Sequence, residues 1–137
     1  MQVEEYLKSY KELRDNLVFY RNKMKGLKAI SYSQEAKSAP LTNAMNECMA
    51  KIEEIESKMR SIENFIEGMF KGELRTIVWK KYIDMISLKQ IALEHEFSIF
   101  YISKKIKNAI EEVQKNIECQ QTATNDNKWQ TMPIDSR

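Results

Sequence analysis

Glycine and proline are scarce in this chain of 137 residues, at three and two copies. Tight turns and hairpins of strands draw on both, and no alternating apolar pattern stands out, so an all-helical protein is expected. Histidine occurs once, as His95, and cysteine twice, as Cys48 and Cys119. A zinc site needs about four ligands at fitting spacing, so no metal centre is expected, and the two cysteines suit a reducing compartment. Met1-Gln2-Val3-Glu4-Glu5 has neither the basic start nor the apolar stretch of a secretory signal, and no run approaches bilayer-crossing length. A cytoplasmic protein without membrane contact is therefore expected. A glycine-rich phosphate loop is missing, as is any serine or cysteine with an evident base. These absences predict no catalytic residues, no cofactor and no enzyme. The net charge of +2 is too small to argue for nucleic acid alone. Its distribution says more: residues 1–30 and 72–117 are mildly basic, whereas 31–71 is acidic, with Glu47, Glu53, Glu54, Glu56, Glu63 and Glu67 in one stretch.

What the chain has in quantity is heptad spacing. Val3, Tyr6, Tyr10, Leu13, Leu17, Tyr20, Met24 and Leu27 alternate three- and four-residue steps, and so do Met45, Cys48, Ile52, Ile55, Met59, Ile62, Ile66 and Met69. Each set forms the seam of one helix. Residues 31–40 lack the seam and end in Pro40, which predicts a loop, and two helices of matching length joined by a loop prefer to lie antiparallel. A lone two-helix hairpin buries little core, so it wants a partner. The candidates are the rest of its own chain, a second copy or a foreign protein, and a homodimer is preferred. Gly68 and Gly72 bracket a break and set the domain boundary after residue 71.

Two further helix starts follow. Ser87 can cap a helix from Leu88 while Gln90 reaches back to it, as a capping box requires, and Ser98 caps the next. Ile102, Ile106, Ala109, Ile110 and Val113 share a face of the second helix, with Lys104, Lys105 and Lys107 on other faces and no acidic residue between Ser98 and Ala109. Ala92 lets the two helices cross closely. Trp79 and Tyr82 on the preceding helix read as core aromatics, and His95 as a favourable charge at the end of the first short helix. Residues 118–137 are polar and without period, which predicts a disordered tail. Trp129, Met132 and Ile134 within it could form a short docking motif, although an unstructured end with a stray tryptophan is the expectation.

The run from Leu74 to Asp84, then Ser87-Leu88-Lys89-Gln90-Ile91-Ala92, then Ser98-Ile99-Phe100-Tyr101-Ile102 with Ala109-Ile110, resembles region 4 of sigma-70-type transcription factors. It is similar above all to small phage-encoded regulators that carry such a domain behind a helical N-terminal part. The resemblance covers about a third of the chain. The overall expectation is an all-α chain: an N-terminal antiparallel helical hairpin of coiled-coil type over 1–71, a three-helix helix-turn-helix domain over 72–117, and the tail. The resemblance implies a sequence-specific regulator in a bacterial host cell, with double-stranded DNA as partner and RNA polymerase as a second candidate. The implied DNA-binding residues are Lys89, Ser98, Ile99, Phe100, Tyr101, Ser103, Lys104, Lys105 and Lys107.

Two departures from that pattern stand out. Glu96 stands where the turn usually needs a glycine at positive φ, so a reshaped turn is expected. Ile99 and Phe100 stand where polar base readers are commoner. They could meet thymine methyl groups. Alternatively, they could anchor a protein, which would make the scaffold an inhibitor of a host nucleic-acid machine such as RNA polymerase or a CRISPR effector.

Overall fold

The computed structural model describes residues 1–33 and 39–134; the side chains of Ser33 and of residues 121–134 lie outside the description. Five helices and no strand occur among the described residues, and the protein is all-α. They are α1 (Val3–Ser33), α2 (Ala39–Met69), α3 (Gly72–Tyr82), α4 (Leu88–His95) and α5 (Ile99–Ile134).

Helices α1 and α2 form the antiparallel hairpin. Near its base the rings of Tyr6 and Phe65 meet edge to face at 5.3 Å, and the Tyr10 hydroxyl donates to Glu63 at 2.7 Å. Farther out, Arg21 donates to Glu56 at 3.0 Å and the Cys48 thiol donates to the Tyr20 carbonyl at 3.1 Å. Every residue of the two heptad seams is buried or half-buried. The expected loop is shorter than its polar composition suggests. α1 runs through Ser33, and Pro40 occupies the second position of α2, where no helical donor is needed and its fixed φ is already helical. The rest of that loop, residues 34–38, lies outside the described residues.

The break between the glycines forms as spacing predicts: α2 ends at Met69, and α3 starts at Gly72 with φ of +62. This break turns the chain without dividing the core. Val3, Leu7, Ile62, Ile66 and Phe70 from the hairpin join Ile77, Val78, Ile91, Ile102 and Ile106 in one apolar cluster. Leu7 is fully buried although it lies off the heptad seam, because α3 and α5 cover a second side of α1 that a bare hairpin would leave wet. At its base, the hairpin finds its packing partner within its own chain.

A side-chain clamp closes this joint. The Val3 N–H donates to Gln114 Oε1 at 2.8 Å, and Gln114 Nε2 donates to the Met1 carbonyl at 2.9 Å. An otherwise unpaired donor at the start of α1 is thus satisfied from α5. The backbone of α5 continues helically past residue 118 to Ile134, where a disordered tail is expected from composition. No glycine or proline interrupts the sequence between Gly72 and Pro133. Trp129, Met132 and Ile134 belong to the part whose side chains are not described.

The turn between α4 and α5 keeps its left-handed residue despite the missing glycine. Glu96 has φ 60 and ψ 36. Its N–H bonds to the Leu93 carbonyl at 3.3 Å, and that of Phe97 to the Ala92 carbonyl at 2.9 Å. These are the two bonds of a Schellman closure, with half-buried Phe97 packed on the core. The closure outweighs the roughly 1–2 kcal/mol that a side chain costs in this conformation. Glu96→Gly should therefore stabilise the protein. The strain removed exceeds the roughly 0.5–1 kcal/mol of added freedom in the unfolded chain, so a calorimetric Tm should rise by about 3 °C. A lowered Tm would show that Glu96 is not strained.

Candidate nucleic-acid interface

The starts of α4 and α5 are both capped by their serines. Ser87 Oγ accepts from the Gln90 N–H at 3.2 Å and Ser98 Oγ from the Tyr101 N–H at 3.1 Å. The reciprocal half of the expected capping box does not form. The Gln90 amide runs forward to donate to Glu94 at 3.1 Å, one turn along α4. Glu94 also receives Lys80 Nζ from α3 at 2.9 Å on its other oxygen, and the charged carboxylate is the strong acceptor that draws the Gln90 amide forward.

His95 bridges helices rather than capping one. Its Nδ1 lies 3.2 Å from Glu73 Oε2 and its Nε2 lies 3.1 Å from Lys80 Nζ. An ammonium can only donate, so the ring nitrogen facing Lys80 is the acceptor and Nδ1–H points to Glu73. Glu73, His95, Lys80 and Glu94 thereby tie α3 to α4. The α4 end that His95 was expected to cap is closed instead by the N–H groups of Glu96 and Phe97.

This scaffold presents the start of α5 outward. Ile102, Ile106, Ala109, Ile110 and Val113 are buried as their spacing predicts. Ile99, Phe100, Ser103, Lys104 and Lys107 are exposed. Residues three or four apart are neighbours on a helix, so these five make two adjacent rows, Ile99–Ser103–Lys107 and Phe100–Lys104–Lys107, on one outward face. Phe100 is 77% exposed and belongs to no core. Ser98 stands at the mouth of the face, and Lys89 is exposed near the start of α4.

Tyr101 and Lys105 belong to the opposite flank. Lys105 Nζ donates to the Tyr101 hydroxyl at 2.9 Å while lying 5.1 Å from the ring centroid, so the contact is at the phenol edge. That hydrogen bond holds the Lys105 ammonium above its ordinary pKa. The Tyr101 ring also stacks at a tilt on Phe97, with 4.6 Å between centroids. Beside this pair a groove of about 630 Å³ runs between α5 and Leu74 of α3, past Asn108 to Glu112. Phe100 and Lys104 of the outward rows line this groove as well, so the two surfaces share an edge, and each runs into a carboxylate further along α5, Glu112 for the groove and Glu111 for the rows.

Two features of this surface escaped the sequence reading. Leu93, on α4 just before the turn, is 73% exposed, although an apolar residue in a short amphipathic helix reads as core. Asn108 follows Lys104 by one turn on the rim of the groove, and that spacing alone could have marked it. Among the described residues no cluster of three or more possible metal ligands occurs, and no helix is long and apolar enough to cross a membrane. Comparisons with family models, with curated proteins and with solved structures find no match to this chain.

The Lys80 bracket has a pH signature. Hydrogen bonds from Lys80 and then Gln90 hold the Glu94 carboxyl below its ordinary pKa. A carboxyl depressed in the folded state stabilises at pH values above its unfolded pKa of about 4.3, and that contribution is lost as pH falls through the folded value. Lys80→Met should lower the Tm at neutral pH and make its decline below about pH 4 shallower. An acid limb of unchanged steepness would place the acid sensitivity elsewhere.

Proposed function

We propose that this chain is a DNA-binding transcription regulator akin to region 4 of sigma-70-type factors, acting in a phage or bacterial setting inside the host cell. The outward face of α5 carries this reading: five adjoining exposed residues, two of them lysines, on a helix held at a fixed angle by a Schellman turn and a four-residue polar bracket. Lys104 and Lys107 would neutralise phosphates, as would Lys89 at the start of α4. Ser98 and Ser103 would supply hydrogen bonds, and Ile99 and Phe100 would pack on thymine methyl groups. Tyr101 and Lys105 would position the helix from its other flank. A homodimer, formed through the outer hairpin where Val18, Phe19 and Met49 are exposed, would set two such helices on one duplex. RNA polymerase is the protein partner the resemblance suggests.

A second reading is favoured by the apolar surface at the turn. Leu93, Phe100 and Ile99 are 73%, 77% and 49% exposed, more apolar surface than base reading requires. Such a patch suits anchors for a host nucleic-acid machine that the protein would inhibit.

Selection of bound duplexes from a random pool, followed by salt titration, separates the two. Lys104→Ala and Lys107→Ala should each lower the salt slope by about 0.9 without changing the preferred sequence. Phe100→Ala should cost about 1–3 kcal/mol at the preferred site only, with an unchanged Tm because the ring is exposed. A dimer should select a two-fold repeated site with half-sites about 34 Å apart. Absence of duplex binding at low salt would contradict the regulator and leave the protein-binding reading.

A further inference from the structure

The hairpin has two long sides, and the helix-turn-helix unit stands on only one of them. Leu7, Lys11, Arg14, Val18 and Arg21 follow one another at four- and three-residue steps along α1 and so share one side of it. Leu7 is buried there beneath α3 and α5, and Arg21 pairs with Glu56 at 3.0 Å, which identifies the matching side of α2. Met49, two heptad-spaced turns before Glu56, belongs to it. Glu5, Glu12 and Phe19 lie at seven-residue steps on the other side, and all three are exposed. Two grooves run along this open side between α1 and α2. The first, of about 550 Å³, is lined by Tyr6, Leu13 and Ile62 and takes Glu12 from α1 and Lys58 from α2. The second, of about 400 Å³, is lined by Tyr20 and Cys48 and takes Lys23 from α1 and Glu47 from α2. Ser9 and Asn16 of the first and Lys23 of the second recur at seven-residue steps, so both grooves open the same way. Phe19 stands between them on α1, 59% exposed, its ring edge to face with Tyr20 at 5.1 Å.

We infer that this open side is the face on which a second copy of the chain seats, with the two hairpins running in the same direction and α1 of each lying over α2 of the other. This rests on the homodimer reading above and gives that dimer its surface and its symmetry. Charge selects the occupant. The open side carries Glu5, Glu12, Glu47 and Glu54 against Lys23, Lys51 and Lys58, with Lys8 and Asp15 offsetting each other on the back of α1, so it suits neither a polyanion nor a polycation. Glu54 is shared between Lys51 at 3.6 Å and Lys58 at 3.1 Å. The remaining signs alternate: in the first groove the carboxylate comes from α1 and the ammonium from α2, and in the second the order is reversed. A two-fold axis along the hairpin lays α1 on the partner's α2, so Glu12 meets the partner's Lys58, Lys23 meets the partner's Glu47, and every contact occurs twice. Phe19 lands between those two ion pairs, over the methylene stems of the partner's Lys51 and the partner's Glu54. The occupied side cannot pair with this symmetry, because the helix-turn-helix unit of each copy would collide with that of the other. Both units stand instead outside the same end of a four-helix bundle, related by an axis that a duplex with two-fold repeated half-sites shares.

Sedimentation equilibrium of the full chain and its variants up to high micromolar concentration, with circular dichroism to check folding, tests this face. Phe19→Asp should weaken the dimer roughly thirtyfold or more, because an aromatic anchor is lost from both halves, while helical content stays unchanged because the exposed ring supports no core. Glu12→Lys and Lys58→Glu should each weaken self-association about tenfold, since each sets two like-charged pairs across the axis. An equal mixture of those two variants should recover the affinity of the unaltered chain, because both pairs in the mixed dimer carry opposite signs. Misfolding cannot imitate that rescue. Rescue of Glu12→Lys by Lys23→Glu instead would mean a reversed copy, with α1 on α1, and would overturn the proposed arrangement. A dimer that ignores these changes but dissolves with Val18→Asp or Met49→Asp would overturn this face and leave the homodimer standing. A monomeric unaltered chain would overturn both.

Discussion

The structure depends on the burial of the hairpin base against the helix-turn-helix unit. Val3, Leu7, Ile66, Ile77, Ile91 and Ile102 have no exposed surface, and they come from all five helices. Each fully buried aliphatic side chain of this kind is worth about 1.5–3 kcal/mol, several times what an exposed ion pair supplies. α4 has only eight residues, too few to be stable as an isolated helix, so its position is set by Ile91 and Ala92 in that core. The angle at which α5 presents its outward face follows from the same packing. The polar links, Gln114 on the α1 backbone and the bracket around Lys80, fix the orientation of elements that the apolar cluster has already brought together.

Much of the fold was legible because its signals are local. The two heptad seams, the serine caps at Ser87 and Ser98, the buried face of α5 and the glycine-marked break each occupy a short window of sequence. Leu7 was not legible, because its burial comes from a unit more than sixty residues away that a heptad pattern does not register. Gln90 is diverted locally: the Glu94 carboxylate one turn along α4 accepts its amide, while Lys80 arrives from α3 on the other carboxylate oxygen. Pro40 was read as a breaker, although the first turn of a helix accepts proline. Glu96 shows that a missing glycine need not reshape a turn when two backbone bonds and a packed Phe97 hold it.

The candidate surface was legible in part. Helical periodicity separates the row of Ile99, Ser103 and Lys107 from the flank of Tyr101 and Lys105, but a flat set of residues conceals that division until the buried face is known.

The central claim is that hairpin base and helix-turn-helix unit form one cooperative core, and native-state hydrogen exchange of Leu7→Ala tests it most directly. Losing a buried leucine should cost about 2–5 kcal/mol. The account predicts that the slowest amides of α4 and α5, those of Ile91 and Ile106 among them, lose the same protection free energy as Ile62 in α2, since all exchange through one opening. Protection lost in α1 and α2 alone, with α4 and α5 unchanged, would show two independently stable units and contradict it.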